Sequence, residues 1–181
     1  TNFNVKYVTA QNDLQALDQV YDALVRKING KFCGQLADSW EISEDGLTYT
    51  FHINPDAKFS DGTDITAEDV EWSYEYVRDQ CDNWSWLYQT LDDVEAVDTK
   101  TVVFHFSAAD ASRLSIMSSS QYGSVFSKAA MEKYGDDYGK TAESIVSSGP
   151  YVITEWKENE YVKFEARDDY YGKKPDLAHL K

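Results

Sequence analysis

The residues in this sequence whose types and spacing most suggest chemistry are aromatic. Within Asn83-Trp84-Ser85-Trp86-Leu87-Tyr88 two tryptophans stand two apart and a tyrosine continues the series. On a helix these rings fan over more than one face, so one core contact cannot bury all three. An exposed apolar patch of that kind commonly marks a binding surface, where rings stack and the indole N–H and phenol O–H make hydrogen bonds. Packing of a loop against a sheet is the alternative reading. A second polar-aromatic segment, Ser118-Ser119-Ser120-Gln121-Tyr122-Gly123, offers Gln121 and Tyr122 to a ligand.

Covalent and acid–base chemistry find little support. His52, His105 and His179 fall on strands or near the end of the chain, with no nucleophile motif nearby. No HExxH, CxxC or glycine-rich phosphate loop is present, so no catalytic residue, metal site or cofactor is expected. Carboxylates come in pairs, Asp61/Asp64, Glu68/Asp69 and Asp92/Asp93, yet they sit in turns and helix starts, where capping and solubility account for them. A secreted glycoside hydrolase domain built on such carboxylates is the rival from the enzyme class. Asp61 to Glu68 lacks the spacing of a calcium loop, because Thr63 and Ile65 interrupt it. Cys33 and Cys81 either pair or serve as two small buried hydrophobes.

Charge narrows the partners. Against 32 Asp plus Glu stand 17 Lys plus Arg, a net −15. Nucleic-acid binding requires a cationic surface, so that class is excluded, and attraction to anionic membranes is equally disfavoured. No apolar run reaches the length needed to span a bilayer. The chain opens at Thr1 without a signal peptide and reads as mature or trimmed. Its 13 tyrosines and 5 tryptophans suit clefts and interfaces as well as a core.

Positioning falls to an α+β chain with a mixed, largely antiparallel sheet and flanking helices. Phe3, Val5 and Tyr7 alternate as in a strand, and Leu17, Val20, Tyr21 and Leu24 predict a helix over Leu14–Arg26. Lys31–Ile42 runs extended into a turn at Ser43-Glu44-Asp45-Gly46, followed by a half-buried strand through Tyr49, Phe51 and Ile53. Thr66 caps a helix carrying Val70, Tyr74 and Val77 on its inner stripe. Val94–Val97 and Thr101–Phe106 form a hairpin, and Ala111–Ser118 and Lys128–Tyr134 form short helices. Tyr151–Lys157 and Tyr161–Arg167 pair around Glu158-Asn159, leaving Asp168–Lys181 to hug the surface or fray.

The run Leu36–Arg78, LADSWEISEDGLTYTFHINPDAKFSDGTDITAEDVEWSYEYVR, closely resembles the signature region of the family 5 extracellular solute-binding proteins, the peptide/nickel-type receptors of ABC importers. Asp93–Val102 resembles that family's next hairpin. Ser148-Gly149-Pro150-Tyr151, Trp156 and Tyr170-Tyr171-Gly172 resemble its later segments, with Ser148 and Tyr171 where many relatives have threonine and tryptophan. The resemblance implies a two-lobed, periplasmic-binding-protein-like fold of type II, class C, that closes on its solute. Residues 1–181 would be part of the first lobe, roughly residues 45–150 holding its small extra subdomain, with the second lobe and the C-terminal return absent. It implies a non-enzymatic, monomeric receptor, periplasmic or lipid-anchored at the cell surface. Such a receptor hands oligopeptide to ABC permease subunits in the membrane; an oligosaccharide or metal chelate is the alternative cargo. Three segments match places where relatives touch ligand: Thr9–Asp13 with Gln11 and Asn12, then Trp84, Trp86 and Tyr88, then Gln121 and Tyr122.

Overall fold

The computed structural model describes residues 2–8, 11–157 and 160–180. The chain runs α1 (Gln11–Val20), β1 (Val25–Ile28), β2 (Lys31–Gly34), β3 (Ala37–Ile42), β4 (Thr48–Ile53), α2 (Ala67–Gln80), β5 (Leu91–Ala96) and β6 (Thr101–Phe106). There follow α3 (Arg113–Met117), α4 (Lys128–Tyr134), β7 (Tyr151–Lys157), β8 (Tyr161–Ala166) and β9 (His179–Leu180). Strand pairing in the described residues is antiparallel. It gives a β1-β2 ribbon, a four-stranded sheet in the order β3-β4-β6-β5 and a three-stranded sheet in the order β7-β8-β9.

The four-stranded sheet follows from alternation. Tyr49, Phe51 and Ile53 of β4 face inward with Val102, Phe104 and Phe106 of β6, while Thr48, Thr50 and His52 turn outward. In the β3–β4 turn, Asp45 Oδ1 accepts from the Ser43 hydroxyl and the Leu47 amide, and Gly46 takes the φ of 69° that a side chain would resist. α2 lies over the inner face. Its Tyr74 ring meets Phe104 edge-on at 4.8 Å. Thr66 and Asp69 form a reciprocal capping box at its start.

Two expectations change, and one open alternative resolves. No strand forms over residues 2–8: Asn2 Oδ1 accepts from the Asn4 amide and Asn4 Oδ1 from the Lys6 amide, so side chains fold the backbone into turns. Phe3 and Val5 are still buried. The first helix stops at Val20, not Arg26, because a crossing segment occupies the Val20 carbonyl through the Gly149 amide at 2.9 Å and the Ser147 hydroxyl. Only glycine allows this crossing, since a Cβ at position 149 would sit 2.8 Å from the Val20 carbonyl carbon. Of the two readings for the segment after Arg167, hugging the surface holds: β9 pairs with β8, and the Tyr170 and Tyr171 hydroxyls bond to Asp22. The expected turn at Glu158-Asn159 lies outside the described residues.

Arg167 ties the segment that follows β4 to the segment that leads into β7. Its side chain is 2% exposed. Nη1 donates to the carbonyls of Ser147 and Gly149, and Nη2 to those of Lys58 and Phe59. Nε donates to Asp169 and holds that carboxyl below the usual carboxylate range. A lysine has no planar fork and cannot reach all four carbonyls. Arg167→Lys should cost about 3 kcal/mol in denaturant unfolding, against about 1 kcal/mol for loss of the helix cap in Thr66→Ala.

Candidate functional site

The Asn83–Tyr88 segment leaves α2 as a tight turn. The amides of Trp84 and Ser85 both bond to the Cys81 carbonyl at 2.8 Å, and Ser85–Tyr88 form one turn of 3-10 helix. Three rings at spacing two therefore point to different places. Tyr88 is 0% exposed, meets Tyr74 edge-on at 5.5 Å and donates its hydroxyl to the Tyr122 carbonyl at 2.9 Å. Trp84 is half-buried and lies against the Tyr122 ring, centroids 5.4 Å apart. Its indole N–H is buried and has no acceptor among the described residues. Trp86 stands 61% exposed with its indole N–H on the Asn83 carbonyl. Tyr88 thus has no surface to offer a ligand and acts as a support.

The Ser118–Ser124 segment is held from below. Tyr74 and Tyr88 donate to the carbonyls of Gly123 and Tyr122, and burial pushes both phenols well above their ordinary range, so they remain protonated donors. Gly123 passes so close to Met117 that a Cβ would lie 2.6 Å from its carbonyl oxygen. The Ser120 hydroxyl bonds to Asp18 of α1. Gln121 and Tyr122 are half-buried, and their side-chain polar ends make no hydrogen bond among the described residues. A fixed shelf with free polar ends and two indoles can stack on a solute and bond to its amides.

Gln11 and Asn12 open α1, but their side chains lie outside the described residues, as do Thr9 and Ala10. Tyr7, by its alternation a strand residue, is 47% exposed beside this region, where the Lys6 carbonyl accepts from the Asn83 side chain. Nothing in its local pattern marked it, because turns rather than a strand present it.

Elsewhere the candidate catalytic groups have ordinary tasks. His52 and His105 lie 3.7 and 4.0 Å from Glu41 and Glu95 on the open sheet face. Asp61 bonds within its turn, Asp64 pairs with Lys58, and Asp69 caps α2. Glu68, Glu71 and Glu75 crowd a groove with Trp72 and Lys128, where burial and then Glu75 raise the Glu71 carboxyl above its usual range. All three come from one helix face, so they cannot flank a scissile bond from opposite sides. Both cysteines are free, and burial pushes the Cys81 thiol up to about 12. No cluster of metal-ligating side chains occurs among the described residues.

The fold is that of the type II periplasmic binding proteins. It superposes with a TM-score of 0.89 on the binding protein MoaA of A. tumefaciens R10 in complex with mannopinic acid, at 30% identity, covering 99% of this chain and 37% of that one. The substrate-binding domain of the oligopeptide ABC transporter of Bacillus anthracis str. Ames shares the fold at 24% identity and TM-score 0.88, over 94% of this chain and 36% of that one.

The chain belongs to the bacterial extracellular solute-binding proteins, family 5, whose "Middle" region matches residues 31–181. It is 31% identical over 147 residues to the glutathione-binding protein GsiB of Escherichia coli (strain K12), covering 80% of this chain and 28% of that protein. It is 29% identical over 171 residues to the di/tripeptide-binding protein 4 of Pseudomonas aeruginosa (strain UCBPP-PA14), covering 80% and 31%. The chain therefore spans less than a third of the length of these relatives.

Support and surface separate by mutation. Tyr88→Ala should cost about 3–5 kcal/mol in equilibrium unfolding, through lost packing and an orphaned Tyr122 carbonyl. Trp86→Ala should stay within about 0.5 kcal/mol of the unmodified chain.

Proposed function

We propose that this chain is part of the first lobe of a receptor that captures oligopeptide outside the cytoplasm and delivers it to a membrane permease of an ABC importer. Trp86 carries the weight of this reading. A large indole stays open to solvent beside the Trp84–Tyr122 pair, on a support whose own tyrosines are wholly buried. The grouping matters, since Trp86, Trp84 and Tyr122 together make an aromatic patch of the kind that binding walls use.

Two relatives of this chain are named for peptides, glutathione in one and di- and tripeptides in the other. A peptide suits the shelf: its amides can meet the Gln121 amide and the Tyr122 hydroxyl, and its side chains can rest on Trp86. Binding, with closure of a second lobe over the solute, is the whole mechanism, and no bond is made or broken. The receptor works in the periplasm or anchored at the cell surface, as a monomer. Among the described residues no helix is long and apolar enough to cross a membrane.

Half a cleft binds poorly, because closure supplies much of the contact. Calorimetry on these 181 residues alone should therefore show tripeptide affinity weaker than about 1 μM. In a receptor carrying both lobes, Trp86→Ala should weaken that binding by about tenfold. Tight binding by the chain alone, or an unchanged affinity in the variant, would contradict the assignment.

A further inference from the structure

Among the described residues Asp22 is the acidic side chain most fully withdrawn from water, 1% exposed. It lies between α1 and β1. Oδ2 accepts from the hydroxyls of Tyr170 and Tyr171, each at 2.6 Å, and Oδ1 accepts from the Gln35 side chain. The backbone of the same residue donates to the Ser148 hydroxyl and accepts from the Val125 amide, both at 3.0 Å. One residue thus joins the first helix, the β2–β3 connection, the segment behind Tyr122 and the C-terminal segment. The charged and titratable groups around it are Tyr170 and Tyr171 from the C-terminal segment and Arg26 from β1; Gln35 and Ser148 are neutral.

Two forces oppose each other here. Three donors favour the carboxylate, and Arg26 adds weak support; burial favours the neutral acid. Burial prevails and holds the carboxyl at about 6, up from 3.8. We propose that Asp22, Tyr170 and Tyr171 form a proton-operated latch on the C-terminal segment, gripping it tightest when Asp22 is protonated and releasing it locally when the carboxyl ionises. On protonation the new O–H donates to the oxygen of one tyrosine, whose own hydrogen turns to the neighbouring tyrosine with which it pairs, so no two donors confront each other. When the segment opens, Asp22 meets water and its carboxyl returns to the ordinary range. The closed form therefore binds the proton more tightly than the open form. The contribution to closure is complete below about pH 4 and is lost as pH rises through about 6. A family described as extracellular meets the pH of its surroundings directly.

Native-state hydrogen exchange tests the latch on the whole 181-residue chain, with rates corrected for intrinsic pH dependence. Amides of residues 164–180 should be about tenfold better protected near pH 5 than near pH 7.5, and Asp22→Asn should remove that difference. Tyr170→Phe deletes a donor that favours the ionised form, so it should move the midpoint up by about one pH unit. This second variant decides the matter if Asp22→Asn does not fold. Equal protection at both pH values overturns the proposal. So does a pH dependence that survives Asp22→Asn, or a Tyr170→Phe midpoint that stays still or falls.

Discussion

The geometry of this molecule rests on where one guanidinium ends its hydrogen bonds. Arg167 leaves β8 and enters a junction where Ser147–Gly149 passes beneath the Lys58–Phe59 turn, and its two terminal nitrogens tie the four carbonyls together. Three of these bonds, to Ser147, Gly149 and Phe59, are buried, so the crossing cannot relax without leaving acceptors unpaired. Consequences spread from there along the chain. The crossing segment stops α1 at Val20 through Gly149, and Ser148 grips Asp22. Asp22 in turn holds Val125, three residues beyond Tyr122 of the candidate shelf. A fixed junction thereby fixes a distant loop.

The shelf divides labour between hidden and open rings. Tyr74 and Tyr88 lie inside the core and hold the backbone of Tyr122 and Gly123 by their hydroxyls. Trp84 and Tyr122 lean on each other at the surface, and Trp86 stands free. Rigid aromatic surface loses little conformational entropy on binding, and a few unpaired polar ends suffice to orient a backbone of repeating amides. On the proposed reading such a wall would accept different side chains on a guest, in keeping with relatives that carry the names of glutathione and of di- and tripeptides.

Much of the fold was legible because local signals agreed. The alternation through Tyr49, Phe51 and Ile53, the Asp-Gly turn and the Thr66 cap each specify one conformation, and each recurs in the structure. The run Leu36–Arg78, which carries them, lies within the region matched by the family. Where reading failed, a distant segment or a side chain had intervened. Asn2 and Asn4 turned a strand-like pattern into turns, Gly149 cut a helix-like pattern short, and Asp22 captured tyrosines from the far end of the chain. At the candidate shelf the sequence marks the segments but not which ring is support and which is surface. Spacing alone says that three rings diverge; only packing against Tyr74 and Tyr122 says that Tyr88 goes inside and Trp86 stays out.

The central claim is that residues 83–88 and 119–123 form the solute-facing wall of the first lobe. Amide hydrogen exchange on the receptor carrying both lobes, with and without a saturating tripeptide, tests it most directly. The prediction is new protection in both segments, with the outer β3–β4 hairpin unchanged. Protection confined to other parts of this lobe, with these two segments exchanging as before, would contradict it.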